Sequence, residues 1–232
     1  MIRWYLTRKY DFMDLNFSDI KNNSMFAGID ENDLKKLFDC ISPKEKSIKR
    51  GSFVFSAGDD VRFVYLILSG SMHIVDEDFW GNSSIIETME RGTLFGEAYV
   101  FSTMQTYLVG VAAAEDSHVL EIPPLSLFET CSANCPCHAR LVKNTLGIVS
   151  EKIVRLTQKL GHVMRRTLRE KLLSYLTSCA KREKNSSFYI PYSRQQLADY
   201  LCTDRSALSH ELSRLQKEGL IRYHKNHFDL TR

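Results

Sequence analysis

The chain has 232 residues, 44% of them hydrophobic and 25% charged, with a formal net charge of +3. That length suits one large domain or two small ones with real cores, and the composition excludes a low-complexity chain. No apolar run approaches the roughly 18 residues of a membrane span. Met1-Ile2-Arg3-Trp4-Tyr5-Leu6-Thr7-Arg8-Lys9 lacks the apolar core of a signal peptide, so a cytoplasmic protein is expected. The charge is uneven: Arg165 to Arg232 holds 14 Lys/Arg against 7 Asp/Glu, whereas residues 1–164 hold 17 against 21. A basic C-terminal third on a mildly acidic body predicts that this last segment meets a polyanion; a solvated basic face is the plainer alternative.

Residues 1–44 read as an arm and one or two short helices. Asp30-Glu31-Asn32-Asp33 ahead of Leu34, Leu37, Phe38 and Ile41 gives a helix with an acidic first turn, which complements the positive end of the macrodipole; Pro43 ends it. From 45 to 122 short runs rich in Val, Ile, Phe and Tyr alternate with turns at Gly51, Gly58, Gly70, Gly81 and Gly92. The runs are Phe53–Phe55, Val64–Leu68, His73–Val75, Ile85-Ile86, Tyr107–Ala113 and Val119–Ile122, and they predict an antiparallel sandwich or barrel. A long helix follows from about His138. Within it Leu146, Val149, Ile153, Leu156, Leu160 and Val163 step by 3, 4, 3, 4 and 3 residues, the spacing of a coiled-coil seam, with polar residues between. A stripe this narrow suits an identical helix from a second chain; an amphipathic helix packed on its own domain has related spacing.

The C-terminal third is the most informative. Thr167 to Ala180 reads as a helix and Phe188-Tyr189-Ile190 as a strand. Ser193 caps a helix to Leu201, Cys202-Thr203-Asp204 is a turn, and Arg205 to Gly219 is a second helix with a glycine stop. Leu197, Ala198, Leu201, Leu208, Leu212 and Leu215 supply the inside of a helix-turn-helix, and 220–230 forms a two-stranded wing turning at Lys225-Asn226.

Arg50-Gly51, Ala57-Gly58-Asp59, Leu66-Ile67-Leu68-Ser69-Gly70 and Gly92-Thr93-Leu94-Phe95-Gly96-Glu97 stand in the order seen in the cyclic-nucleotide-binding β-roll. With the seam helix and the basic helix-turn-helix, the chain resembles the cyclic-AMP-receptor/FNR (Crp/Fnr) family of bacterial transcription regulators over about residues 25 to 230. In cyclic-AMP-binding members a Gly-Glu pair is followed some ten residues later by Arg-Ser, which holds the cyclic phosphate through a charged, forked guanidinium. Here Gly96-Glu97 is present, but Tyr107-Leu108 stands where that Arg-Ser would be, and Ile153-Val154 where those members carry Thr-Ser on the central helix. A phosphate there would lack its counter-charge, so the resemblance implies an effector other than cyclic AMP, or a roll that serves only as scaffold. Gly96, Glu97, Tyr107, Leu108 and Ile153 are the candidate effector residues.

In the second helix the outward positions are Arg205, Ser206, Ser209, His210 and Arg214. By resemblance Arg205 matches the family arginine that reads guanine; Ser206 stands where many members have Glu, and His210 where cyclic-AMP receptors have a second Arg. Ser193, Arg194 and Gln195 match family phosphate contacts.

Six cysteines in a cytoplasmic chain predict reduced thiols. Cys40, Cys179 and Cys202 read as small buried hydrophobes. Cys131, Cys135 and Cys137, next to His138, form a soft-ligand run that can hold zinc, part of an iron–sulfur or haem site, or a redox switch whose exposed helix-start thiol has a lowered pKa. The oxygen-sensing branch carries its iron–sulfur cysteines mainly in the N-terminal arm, and none precedes Cys40 here.

The expected protein is α+β. An N-terminal arm (1–24) leads to a cyclic-nucleotide-binding-like antiparallel β-roll of jelly-roll type (25–137), then a central dimerisation helix (138–164) and a winged helix-turn-helix (165–232). It is expected to be a homodimeric, non-enzymatic transcription regulator on pseudo-palindromic double-stranded DNA, with no assigned metal or cofactor and an unnamed small-molecule effector. RNA polymerase is a further partner if it activates, and a thiol or metal sensor using Cys131, Cys135 and Cys137 is the alternative.

Overall fold

The computed structural model describes residues 20–128 and 135–231. The chain divides into two compact units, with the division after Ser150. No helix among the described residues is long and apolar enough to cross a membrane.

In the first unit a 3-10 turn, Ser24–Phe26, precedes helix α1, Glu31–Ile41. The Asp30 carboxylate accepts from the Asp33 N–H at 2.8 Å, so one acidic residue both caps the helix and faces its positive end. Eight strands follow: β1 Lys44–Ile48, β2 Phe53–Phe55, β3 Val64–Ser69, β4 Ser71–Glu77, β5 Ser83–Glu90, β6 Leu94–Phe95, β7 Gly110–Ala113 and β8 Ser117–Ile122. They form two antiparallel four-stranded sheets, β1-β8-β3-β6 and β2-β7-β4-β5.

The run Val64-Tyr65-Leu66-Ile67 is buried throughout because the first sheet is covered on both faces. Tyr65, Ile67 and Val119 join Phe55, Met72, Phe95, Tyr107 and Val111 inside the roll. Val64, Leu66, Leu120 and Ile122 face a helical layer built from Met25, Phe26, Leu34, Leu37, Phe38 and Leu141. β1 carries too little apolar character to be read as a strand; four of its five residues are exposed, and its pairing with β8 holds it. The expected strand over Tyr107–Ala113 is shorter, starting at Gly110, and Tyr107 instead pairs with the loop before β3 through Tyr107 N–H to the Asp59 carbonyl at 3.0 Å. Gly70, at φ +79°, makes the tight β3–β4 turn; a Cβ there would lie 2.1 Å from Ser117 Oγ.

A four-residue helix α2, Glu97–Val100, follows β6, and α3, Leu125–Phe128, follows β8. Helix α4 then runs from Pro136 to Val163, and the division between the two units falls inside it.

The second unit continues with α5 Leu168–Glu183, β9 Ser187–Tyr189, α6 Arg194–Tyr200, α7 Arg205–Lys217, β10 Ile221–His224 and β11 His227–Leu230. α5 runs past Ala180, to a left-handed Lys184, and starts with a capping box between Thr167 and Glu170. β9 joins the wing as the third strand, in the order β10-β11-β9. Leu172, Leu176, Phe188, Leu197, Ala198, Leu201, Leu208, Leu212, Leu215 and Phe228 form its core.

Candidate nucleic-acid interface

Sequence and geometry agree closely on how α6 and α7 are set. The Ser193 hydroxyl accepts from the Gln196 N–H at 3.3 Å, and the Gln196 side-chain oxygen accepts from the Ser193 N–H at 2.8 Å, which fixes where α6 begins. The six residues expected inside the helix-turn-helix are all fully buried. The turn between the helices needs a left-handed residue, and Cys202 adopts it at φ 50°, with its N–H donating to the Asp199 carbonyl at 3.1 Å. A non-glycine residue is sterically disfavoured there.

Burying one face of α7 forces the other outward. Arg205, Ser206, His210 and Arg214 are exposed and Ser209 is half-buried. Gln195, Asp199, Thr203, Asp204, Arg205, Ser206 and Ser209 line one open polar groove. The Arg205 guanidinium joins no ion pair among the described residues, so its donors are available to an acceptor outside the chain. Ser209 Oγ donates to the Arg205 carbonyl at 2.9 Å, which leaves it able to accept a hydrogen bond, and Gln195 donates to Asp199 at 2.8 Å.

Two of the expected contact residues have other engagements. Arg214 Nε donates to Glu218 at 3.1 Å, and Glu218 also takes the guanidinium of Arg169 on α5. Arg169 and then Arg214 hold the Glu218 carboxyl below its ordinary range. Arg194 is half-buried: its Nη2 donates to the Lys225 carbonyl at 3.0 Å, and its guanidinium carbon lies 5.2 Å from the Tyr223 ring and 5.9 Å from the Phe228 ring. Burial lowers its pKa from the ordinary value.

The seam residues of α4 divide by exposure. Leu146, Ile153, Leu156 and Leu160 are 56–58% exposed, whereas Val149 and Val163 are half-buried. His162, in the last turn, is buried instead: its Nδ1 lies 2.9 Å from Ser174 Oγ and its ring meets Tyr175 edge-on. Tyr175, Tyr192 and Tyr200 pack around that point with ring centroids 5.2–6.1 Å apart. Burial, and then Arg165, lower the His162 pKa. The heptad pattern marked neither the histidine nor the tyrosine cluster; three tyrosines on α5, α6 and the segment before α6 converge only once the fold is formed.

In the roll, Gly96 is left-handed at φ 81° and Glu97 is buried at the start of α2. Tyr107 is buried inside, stacked on Phe55 with centroids 3.6 Å apart, and Tyr99 meets it edge-on. Burial raises the Tyr107 phenol pKa, and the hydroxyl donates to the Phe63 carbonyl at 3.4 Å. Leu108 is 60% exposed, so the two adjacent residues expected to meet an effector together have opposite environments.

Of the cysteine run, Cys131 lies outside the described residues. Cys135 is half-buried and Cys137 buried. The expectation of a lowered thiol pKa at this helix start is corrected: burial, with the Asp33 carboxylate alongside, pushes Cys137 up to about 12. Burial disfavours the charged thiolate here. Cys179 is buried as expected, but Cys40 and Cys202 are exposed.

The chain thus carries a β-roll, the long helix α4 and a winged helix-turn-helix, in that order. Residues 45–134 match the model of the cyclic nucleotide-binding domain, and residues 170–231 match that of the Crp-like helix-turn-helix domain. The chain is 25% identical to electron transport regulator A of Shewanella oneidensis over 83% of this chain and 76% of the relative. It is 24% identical to the transcriptional regulatory protein btr of Bordetella pertussis over 84% and 80%. Its fold is similar to that of the c-di-GMP-responsive global regulator CLP of Xanthomonas campestris, with a TM-score of 0.53 and 19% identity over 88% of this chain and 100% of that one. The chain belongs to the Crp/Fnr family and is a DNA-binding transcription regulator. Regulators of this type bind DNA and act as dimers, and the family is one of regulators rather than enzymes.

Proposed function

We propose that two copies of this chain join along the α4 seam and place their α7 helices in successive major grooves, about 34 Å apart, on a pseudo-palindromic operator. The working parts are an arm at 1–24, an effector roll at 25–137, a dimer helix at 138–164 and a reading head at 165–232, in a protein of the cytoplasm without enzymatic activity. Arg205 reads guanine through a bidentate contact, Ser206, Ser209, His210 and Arg214 complete the outward face of α7, and Ser193 and Gln195 meet the backbone. Ser206 and His210 give a half-site different from that of the cyclic-AMP receptors. If the protein activates, RNA polymerase is its further partner.

One observation carries this reading: the N-terminal face of α7 holds an exposed arginine, without an ion pair among the described residues, beside two serines and a histidine, on a helix whose opposite face is sealed. The four exposed aliphatics of the seam support the dimer, since water contact along α4 is removed when a second copy covers it.

The roll responds to something other than cyclic AMP. The buried Tyr107 ring, where the resemblance would put the phosphate-holding arginine, supports that exclusion. A ligand that touches Gly96, Glu97, Tyr107 or Leu108 shifts the population between two dimer geometries. The raised Cys137 thiol disfavours a thiolate switch.

Replacing both Leu156 and Leu160 with Asp tests the dimer. Sedimentation should report a monomer, and affinity for a duplex with two half-sites should fall by more than about 100-fold, because each head then binds alone. A variant that stays dimeric would overturn the assignment of the seam.

A further inference from the structure

We propose that Arg194 is a positioning residue that fixes the wing against the helix-turn-helix, and that Lys225 at the wing tip makes the phosphate contact that Arg194 does not. The proposal rests on the reading of the second unit as a DNA-binding module. Arg194 opens α6, yet among the described residues its guanidinium hydrogen-bonds and stacks on the wing: Tyr223 on β10, the Lys225 carbonyl in the turn and Phe228 on β11. To reach a phosphate the side chain would have to leave both rings and release that carbonyl.

Lys225 is held in an unusual conformation, left-handed at φ 53°. An L residue adopts this rarely, and the turn persists because its neighbours pin it. Arg194 grips the Lys225 carbonyl from one side. On the other, Ile190 N–H donates to the Asn226 carbonyl at 2.9 Å and Asn226 Nδ2 donates to the Ile190 carbonyl at 3.2 Å. The Lys225 side chain, with Arg222 and His224 beside it, stays exposed and joins no ion pair among the described residues. A cation on a fixed tip meets the DNA backbone with little further ordering, and a planar guanidinium suits the stacking and the hydrogen bond that hold the tip.

Salt dependence separates the two roles, because each neutralised phosphate adds about 0.9 to the slope of log affinity against log salt. The full chain would be titrated against a labelled duplex of mixed sequence at several salt concentrations. Lys225→Ala removes one exposed side chain and does not threaten the fold; it should lower the slope by about 0.9. Arg194→Lys keeps the charge but loses the stacking, and it should lower the slope equally, with no further loss in the double variant. The proposal is overturned if Lys225→Ala leaves the slope unchanged, if Arg194→Lys keeps the wild-type slope, or if the two losses add. A wild-type chain with no salt-dependent binding would instead overturn the DNA-binding reading beneath it.

Discussion

The interior of the roll and the N-terminal end of α7 set their polar groups in opposite environments. Inside the roll, Tyr107 is stacked, hydrogen-bonded and enclosed. On α7, Arg205 is exposed and joins no ion pair among the described residues, in a helix whose buried face fixes its direction. A polar group already satisfied within its own chain has little left to offer a partner, whereas an exposed and oriented one does. The contrast also covers two arginines of the reading head: Arg194 resembles the satisfied class and Arg205 the available one.

If Tyr107 is packing, removing it is costly. Tyr107→Ala should destabilise the first unit by about 3 kcal/mol or more, as large aromatic truncations in cores do, while leaving the melting of the second unit in place. Two separate transitions in calorimetry would show this; an unchanged first transition would mean that the ring is not part of the core. The smallest effect is expected at Cys202. Glycine tolerates the left-handed turn without the steric penalty of a Cβ, so Cys202→Gly should stabilise the second unit by about 0.5–1 kcal/mol in denaturant unfolding. A loss of stability would mean that the thiol's own contacts outweigh the strain.

The helix-turn-helix was legible because its physics is local: the Ser193 cap, the leucine spacing and the turn all lie within about two dozen residues. The helix that carries the seam spacing was legible for the same reason. β1 was not, since Lys44-Glu45-Lys46-Ser47 has no strand signature and becomes a strand only when β8 lies beside it. The doubly buried β3 read correctly as a strand, although nothing in it says that helices cover its second face. The resemblance singled out Arg194 and Tyr107 by their place in the sequence, which says nothing of their surroundings. What surrounds Arg194 comes from the wing some thirty residues later, and the Phe55 ring on Tyr107 comes from some fifty residues earlier. Cys137 was misread for a related reason: its place at a helix start is local, while the burial that raises its pKa is tertiary.

The most direct test is selection of bound sequences from a randomised duplex pool, run in parallel with the wild type and Arg205→Ala. The wild type should enrich two inverted half-sites about one helical turn apart, each with a fixed guanine. Arg205→Ala should lose the preference at that position, a change of about 1–3 kcal/mol in discrimination, while sedimenting as the same dimer. The same motif enriched by both proteins would contradict the account, because the exposed arginine of α7 would then not be what reads the site.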